Sequence, residues 1–140
     1  MDNKDVRVGV GVMILRNSKI LLGKRNEGSV LGGDSWTCPG GKIDFGEKII
    51  DAIKREVEEE TSIKINETKL VSVSGNTDYG NHFVTLGFMC EDFEGQPRVM
   101  EPNKITNWEW FSLNDLPKPL FIPTEKLINN YKEGKIYKGD

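Results

Sequence analysis

The segment from Glu47 to Thr61 writes two patterns onto one helical face. Ile49, Ala52, Ile53 and Val57 recur at the three-and-four spacing of a buried stripe, which predicts a single helix and a core for it to cover. At about 100° per residue, Glu56 and Glu60 fall inside that apolar arc, Glu59 falls at its border and Glu58 points away. Asp44 or Gly46 can cap the helix, and Asp44 with Glu47 three positions on has the form of a capping box. The fold must therefore accept an inward face that is apolar at its start and acidic at its end.

A run of Glu on a helix is ordinarily a solvated face. Here two physical costs oppose that reading. A helix C-terminus carries partial negative charge and favours Lys or Arg by roughly 0.3 to 1 kcal/mol, so these acids sit at the wrong end. Carboxylates about 4 Å apart repel by about 4 kcal/mol at an effective dielectric near 20. Both costs shrink or reverse when a divalent cation lies between the acids. The ligands on offer are hard oxygens, which suit magnesium, or manganese in its place. With His82 the one histidine and Cys38 and Cys90 the only cysteines, no zinc-type ligand spacing exists.

Ahead of the helix, Trp36-Thr37-Cys38-Pro39-Gly40-Gly41 reads as a loop in which a rigid Pro precedes two glycines. Such a pair lets main-chain atoms approach a ligand closely. It is not a P-loop, because no G-x-x-x-x-G-K-[ST] string occurs and Lys42 is followed by Ile43. No G-x-S-x-G elbow is present either, and one histidine makes a Ser-His-Asp hydrolase a poor fit.

Gly41, Glu47, Arg55, Glu56, Glu59 and Glu60 at this spacing resemble the signature of the Nudix hydrolases, which use magnesium to cut a diphosphate bond. The resemblance implies that Glu56, Glu59 and Glu60 bind metal with help from the Gly40 carbonyl. It further implies that Arg55 orients and partly neutralises the acids, that Glu47 braces the loop through a salt bridge, and that Glu59 or Glu56 serves as catalytic base. One position departs from the pattern: Ser62 stands where the signature has a Gly that closes the helix in a left-handed conformation, a change costing roughly 1 kcal/mol. The likeness runs from about residue 6 to 128. The strings VRVGVGV, LLGKR, Glu101-Pro102-Asn103-Lys104, Trp108-Glu109-Trp110 and Leu116 to Phe121 are similar to a MutT-like subgroup that includes small cytosolic enzymes of plants and the vertebrate type-15 nucleotide hydrolase.

The rest of the chain is consistent with one α/β domain spanning 1–140, in which the resemblance implies a Nudix fold with a mixed sheet between helices. Val6, Val8, Val10, Val12 and Ile14 alternate as a half-buried strand, Asn17-Ser18 turns, and Ile20 to Leu22 returns. Residues 26–35 form a Gly-rich loop. Strands are expected at 69–74, at 82–90 with Val84, Leu86, Phe88 and Cys90 on one face, and at 108–111, with a turn at 94–97. Pro123 suits the first residue of a terminal helix reaching about Tyr131. Residues 1–5 and 132–140 are polar and are expected to fray.

At 140 residues the chain suits one core, and no apolar run approaches a membrane span. The opening residues lack the order of a signal peptide, and two distant cysteines read as reduced thiols, so a cytoplasmic location is expected. A formal charge of -3 and a pI near 5.3 argue against a protein that coats DNA or RNA. A single nucleotide or other small diphosphate held through metal remains compatible. The resemblance implies cleavage of nucleoside triphosphates, modified purine nucleotides among them, to monophosphate and pyrophosphate, with a homodimer common among relatives. Hydrolysis of ADP-ribose, a nucleotide sugar or another diphosphate is the alternative, and a nucleotide-sensing module without activity is a third reading. Trp36, Phe45, Tyr79, Phe83, Trp108 and Trp110 offer surfaces for a base, with Trp36, Phe45 and Trp110 favoured, and Glu101 is a further candidate carboxylate.

Overall fold

The computed structural model describes residues 4–29 and 31–140. Its elements run β1 (Val6–Arg16), β2 (Lys19–Arg25), β3 (Trp36–Thr37), β4 (Gly40–Lys42), α1 (Ile49–Thr61), β5 (Lys64–Ile65), β6 (Lys69–Asn76), β7 (His82–Cys90), β8 (Phe93–Glu94), β9 (Ile105–Ser112) and α2 (Ile122–Glu133). Seven strands form one sheet in the order β3-β2-β1-β7-β6, with β4 paired to β1 and β9 to β2. Among the strand pairs of this sheet in the described residues, β1 and β7 run parallel, from Val6 against His82 to Ile14 against Cys90, and the others are antiparallel. The sheet is therefore mixed, as expected.

Strand β1 shows why the sheet needs helices on both sides. Val10, Val12 and Ile14 pack with Ile53 and Val57 of α1, while Met13 and Leu15 pack with Leu127 and Ile128 of α2. A strand buried on both faces reads as a nearly continuous apolar run, which is what GVMIL provides. The expected alternation extends too far at its start: Val6 and Val8 are 57% and 40% exposed, past the part of the sheet that α1 covers. The Asn17-Ser18 turn has both residues at positive φ, 52° and 64°, the geometry that joins two strands tightly.

Three further expectations change. Gly40–Lys42 is a strand rather than a loop, pairing Gly41 with Val10 and Gly40 with Gly11. The helix begins at Ile49 with Lys48 at its N-cap and no side-chain cap. Neither Asp44 nor Gly46 caps it; instead the Asp44 and Glu47 main chains close a turn, and the Glu47 carboxylate accepts the Asp44 N–H at 3.0 Å. Ile49 is 46% exposed, since the first helical turn projects beyond the core. The small β5–β8 ladder was not foreseen.

Helix α2 starts at Ile122, one residue ahead of Pro123, which falls in its first turn, and is closed after Glu133 by Gly134 in the left-handed region. Of the tails, residues 1–3 lie outside the described residues. Residues 134–140 return along β6: the Ile136 carbonyl accepts from Val73 N–H at 2.8 Å and from Asn130 Nδ2 at 3.0 Å, and Asp140 lies 3.1 Å from Lys126.

Candidate functional site

The centre of the site is a contact between β4 and the acidic end of α1. Glu56 and Glu60 are buried on the same face as Ala52, Ile53 and Val57. The Gly40 N–H donates to Glu60 Oε1 at 2.8 Å. A Cβ on Gly41 would lie 2.2 Å from Glu56 Oε2, so this carboxylate rests directly on the glycine main chain. A Cβ on Gly40 would lie 2.1 Å from the Val10 carbonyl oxygen. The two glycines thus admit close approach on two sides, β1 to one and the helix acids to the other.

Arg55 binds this corner together. Its Nε and one terminal nitrogen donate to the two oxygens of Glu47 at 2.7 and 2.9 Å, a bidentate pair. The other terminal nitrogen donates to Glu56 Oε1 at 2.7 Å and reaches Glu59 at 3.5 Å. Arg55 also donates to the Lys42 carbonyl at 3.2 Å, tying β4 to the helix. The hydrogen bonds from Arg55 and from the Asp44 N–H hold the Glu47 carboxyl down at about 2. Its partners hold the guanidinium above its usual range, Glu47 most of all.

The inner acids behave differently. Burial pushes Glu60 up to about 8, against the Gly40 N–H and the field of Lys104, while the charges of Glu56 and Glu101 push it further up. Burial also raises Glu56, opposed by Arg55. Glu59 stands at the rim with its side chain 53% exposed. Ser62 takes the left-handed conformation at φ 71° and its N–H caps the Glu58 carbonyl, so a non-glycine residue fills the closing position.

Among the described residues, no three His, Cys, Asp or Glu side chains are already drawn together as an ion cage. Glu56 is turned to Arg55 and Glu60 to the Gly40 N–H. The donor set still suits a hard divalent cation: the charge of Glu56 raises Glu60, that of Glu59 raises Glu56, Glu59 stands half-exposed beside them, and the acids offer oxygen ligands.

Glu60, Gly40 and Gly41 open onto a cavity of about 270 Å3 on the α2 side of the sheet. Tyr79 and Phe83 line it, as do Arg25, Lys42, Lys104, Asn76 and Thr124. Tyr79 stacks on Phe121 with centroids 5.0 Å apart, and Arg25 lies over the same Phe121 ring at 4.5 Å. Arg25 donates through Nε to the Leu31 carbonyl at 2.8 Å and is lowered by burial, with Glu60 and Tyr79 acting against that shift.

Other candidates are placed elsewhere. Trp36 packs edge-on against Phe111 at 4.9 Å in the α2 core, and Trp110 stacks on Phe93 under Arg16. Phe45 projects fully into solvent from the turn before α1. None of the three lines the cavity. Trp108 is buried and donates to the Glu60 carbonyl at 3.2 Å, and His82 is exposed. Glu101 sits 3.7 Å from Lys104 and contributes its field to Glu60. Arg25, Lys104 and Asn76 were missed; the LLGKR and EPNK strings held the two cations, but nothing local marked Asn76.

The arrangement is that of an acidic helix end set against a glycine strand beside an aromatic cavity, a scaffold for cutting phosphoanhydrides. A model of the NUDIX domain matches residues 5–131, and the chain belongs to the Nudix family. It is 32% identical over 130 residues to an ADP-ribose pyrophosphatase of Methanocaldococcus jannaschii, covering 91% of this chain and 74% of that protein. It is 30% identical over 88 residues to an 8-oxo-dGTP diphosphatase of Proteus vulgaris, covering 63% and 77%. In structure it is similar to a MutT NUDIX hydrolase from Burkholderia pseudomallei, with 36% identity, a TM-score of 0.84 and coverage of 91% and 98%. Two further relatives are longer proteins, of which this chain spans 23% and 40%. The chain is a hydrolase acting on pyrophosphate bonds.

Proposed function

We propose that the chain hydrolyses nucleoside triphosphates, modified purine nucleotides among them, to the monophosphate and pyrophosphate with magnesium as cofactor. The observation that carries this reading is the shared cavity: the buried Glu60 carboxylate and the Gly40-Gly41 main chain at the β4–α1 corner open onto the same space as Tyr79 and Phe83. Glu56, Glu59 and Glu60, with the Gly40 carbonyl, would hold the ion, and manganese can replace magnesium. Bound there, the ion neutralises charge on phosphate oxygens and lowers the pKa of a water.

The chain's own residues divide the remaining work. Arg55 fixes the rotamer of Glu56 and keeps a positive charge beside it. Glu59 or Glu56 accepts the proton of the attacking water, whose oxygen bonds to phosphorus as the bridging oxygen leaves with pyrophosphate. Arg25 and Lys104, which line the same cavity and lie within the field of Glu60, present cations to the phosphate chain.

ADP-ribose is the second reading, favoured by the M. jannaschii relative and its extended alignment. A panel of nucleoside triphosphates, ADP-ribose and nucleotide sugars, incubated with and without magnesium, separates the two. Pyrophosphate release from triphosphates supports the first reading; turnover confined to ADP-ribose transfers the assignment to the second. Tight binding across the panel with no magnesium-dependent turnover defeats both.

A further inference from the structure

Glu60 is held at both ends by different strands. Its carboxylate accepts the Gly40 N–H of β4 at 2.8 Å, and its main-chain carbonyl accepts the indole N–H of Trp108 on β9 at 3.2 Å. A helix leaves its last four carbonyls without intrahelical partners. At this end of α1 the Ser62 N–H closes back on the Glu58 carbonyl at 2.9 Å, and the Arg98 N–H, just past β8, takes the Thr61 carbonyl at 2.9 Å. The Glu60 carbonyl, between them, draws its donor from a side chain 48 residues further along the chain.

The sheet aims that donor. Trp108 pairs with Gly23 across the β2–β9 ladder, and a Cβ on Gly23 would lie 2.7 Å from a carbon of the Trp108 ring and 2.7 Å from Ile105 Cγ2. The ring therefore lies against bare glycine main chain. It is 9% exposed, in the core that also holds Ile53 and Val57 of α1. A phenyl ring could fill most of that space; what the indole adds is an N–H that can only donate, matched to an orphan carbonyl. On the opposite side of the acids there is no slack, since a Cβ on Gly41 would fall 2.2 Å from Glu56 Oε2. The last turn of α1 is thus fixed in height between β9 and β4, and a shift of that turn carries Glu56, Glu59 and Glu60 with it.

We infer that Trp108 is a positioning residue for the ion site: through the Glu60 carbonyl, its indole N–H sets where the last turn of α1 stands over the Gly40-Gly41 strand, and with it the spacing of the three acids. This rests on the magnesium reading above and adds to it a dependence of ion affinity on a ring buried on the α1 side of the sheet. Gly40 and Arg55 orient the carboxylates, whereas Trp108 holds the main chain that carries them. Groups that hold metal ligands in place change metal affinity by roughly 10- to 100-fold when they are removed.

Trp108→Phe keeps most of the ring and removes the donor. The expected signature is a ~10-fold rise in the magnesium concentration giving half-maximal turnover, with kcat at saturating magnesium nearly unchanged. The magnesium needed to lift Tm by a fixed increment above its value in chelator should rise by the same factor, and that readout requires no turnover. Gly23→Ala reaches the same bond from β2 by pushing the ring while leaving its N–H, so it should move both quantities in the same direction, and the result stands on whichever variant folds. Trp110→Phe, which removes an indole stacked on Phe93, is the control and should leave both at the wild-type value. A purely structural Trp108 lowers Tm in chelator and the active fraction but leaves the magnesium requirement unmoved; that outcome overturns the inference while the ion reading survives. An equal rise in Trp110→Phe overturns it too, because any lost indole would then do the same. A wild type whose Tm and turnover ignore magnesium overturns the ion reading and the inference with it.

Discussion

Replacing Glu60 with Gln should make the metal-free protein more stable at alkaline pH and at the same time destroy its response to magnesium. The folded protein raises this carboxyl to about 8 through burial; an unfolded Glu titrates near 4.3. Between those values the native state holds a proton that the unfolded state has lost, so stability falls as pH rises. The contribution is fully present below the unfolded value and is lost as pH climbs through the folded one. At about 1.4 kcal/mol per unit, wild type loses on the order of 3 kcal/mol between pH 5 and pH 8 from this group alone. For a domain of this size that is roughly 10 °C in Tm. Gln keeps an acceptor for the Gly40 N–H and carries no charge, so the variant escapes that loss. Thermal unfolding of both proteins in chelator from pH 5 to 8 should show Tm curves that diverge with pH. Adding magnesium at pH 8 should then raise the wild type and leave Glu60→Gln nearly unmoved. Parallel curves in chelator would refute the argument that burial of this charge strains the fold.

Gly41→Ala should abolish magnesium-dependent turnover by displacing the Glu56 carboxylate, whereas Gly46→Ala, at φ 81° with nothing within 4 Å, should cost only ~1 kcal/mol of stability; paired activity and denaturant titrations separate them. Ser62→Gly removes a left-handed non-glycine residue and should gain about 1 kcal/mol with turnover unchanged, read as a higher urea midpoint. Cys38, buried at 5% exposure in the cavity lining, has its thiol pushed up to about 12 by burial and should resist a thiol-reactive dye at pH 8 until the chain is unfolded; rapid native labelling at that site would contradict the burial.

What could be read in the sequence was what is encoded locally. The α1 pattern needs only its own spacing, and it places Glu56 and Glu60 inward together with Ala52, Ile53 and Val57. The Asn17-Ser18 turn and Pro123 at the start of α2 are likewise short-range signals. Strand β4 escaped because two glycines have little intrinsic strand preference; the ladder to Val10 and Gly11 makes it a strand, across some thirty residues of chain. The aromatics failed for a different reason. Trp36 and Trp110 are large and apolar wherever they fall, and only the sheet's two cores decide that they pack on Phe111 and Phe93. Arg25 and Asn76 share no motif; their common property is the cavity, which exists only once β2, β6 and α2 have assembled around it.

The acidic corner also explains an asymmetry within α1. Its last turn carries no basic residue, and Glu56 and Glu60 are buried where a globular core would place Leu. Burial of Ile53 and Val57 contributes about 1.5 to 3 kcal/mol each, enough to hold the helix on the sheet despite its charged end. That leaves the orientation of the acids to polar contacts, and they come from two places: the Gly40 N–H on β4 and the guanidinium of Arg55. Because Glu47 takes two of the Arg55 hydrogen bonds from the turn ahead of the helix, the arginine is held from outside the acid cluster. It can keep its place when Glu56 and Glu59 turn towards an ion. A lysine at 55 could match the charge but not the fork that grips Glu47, and without that grip the cation is free to collapse onto the carboxylates it is there to arrange.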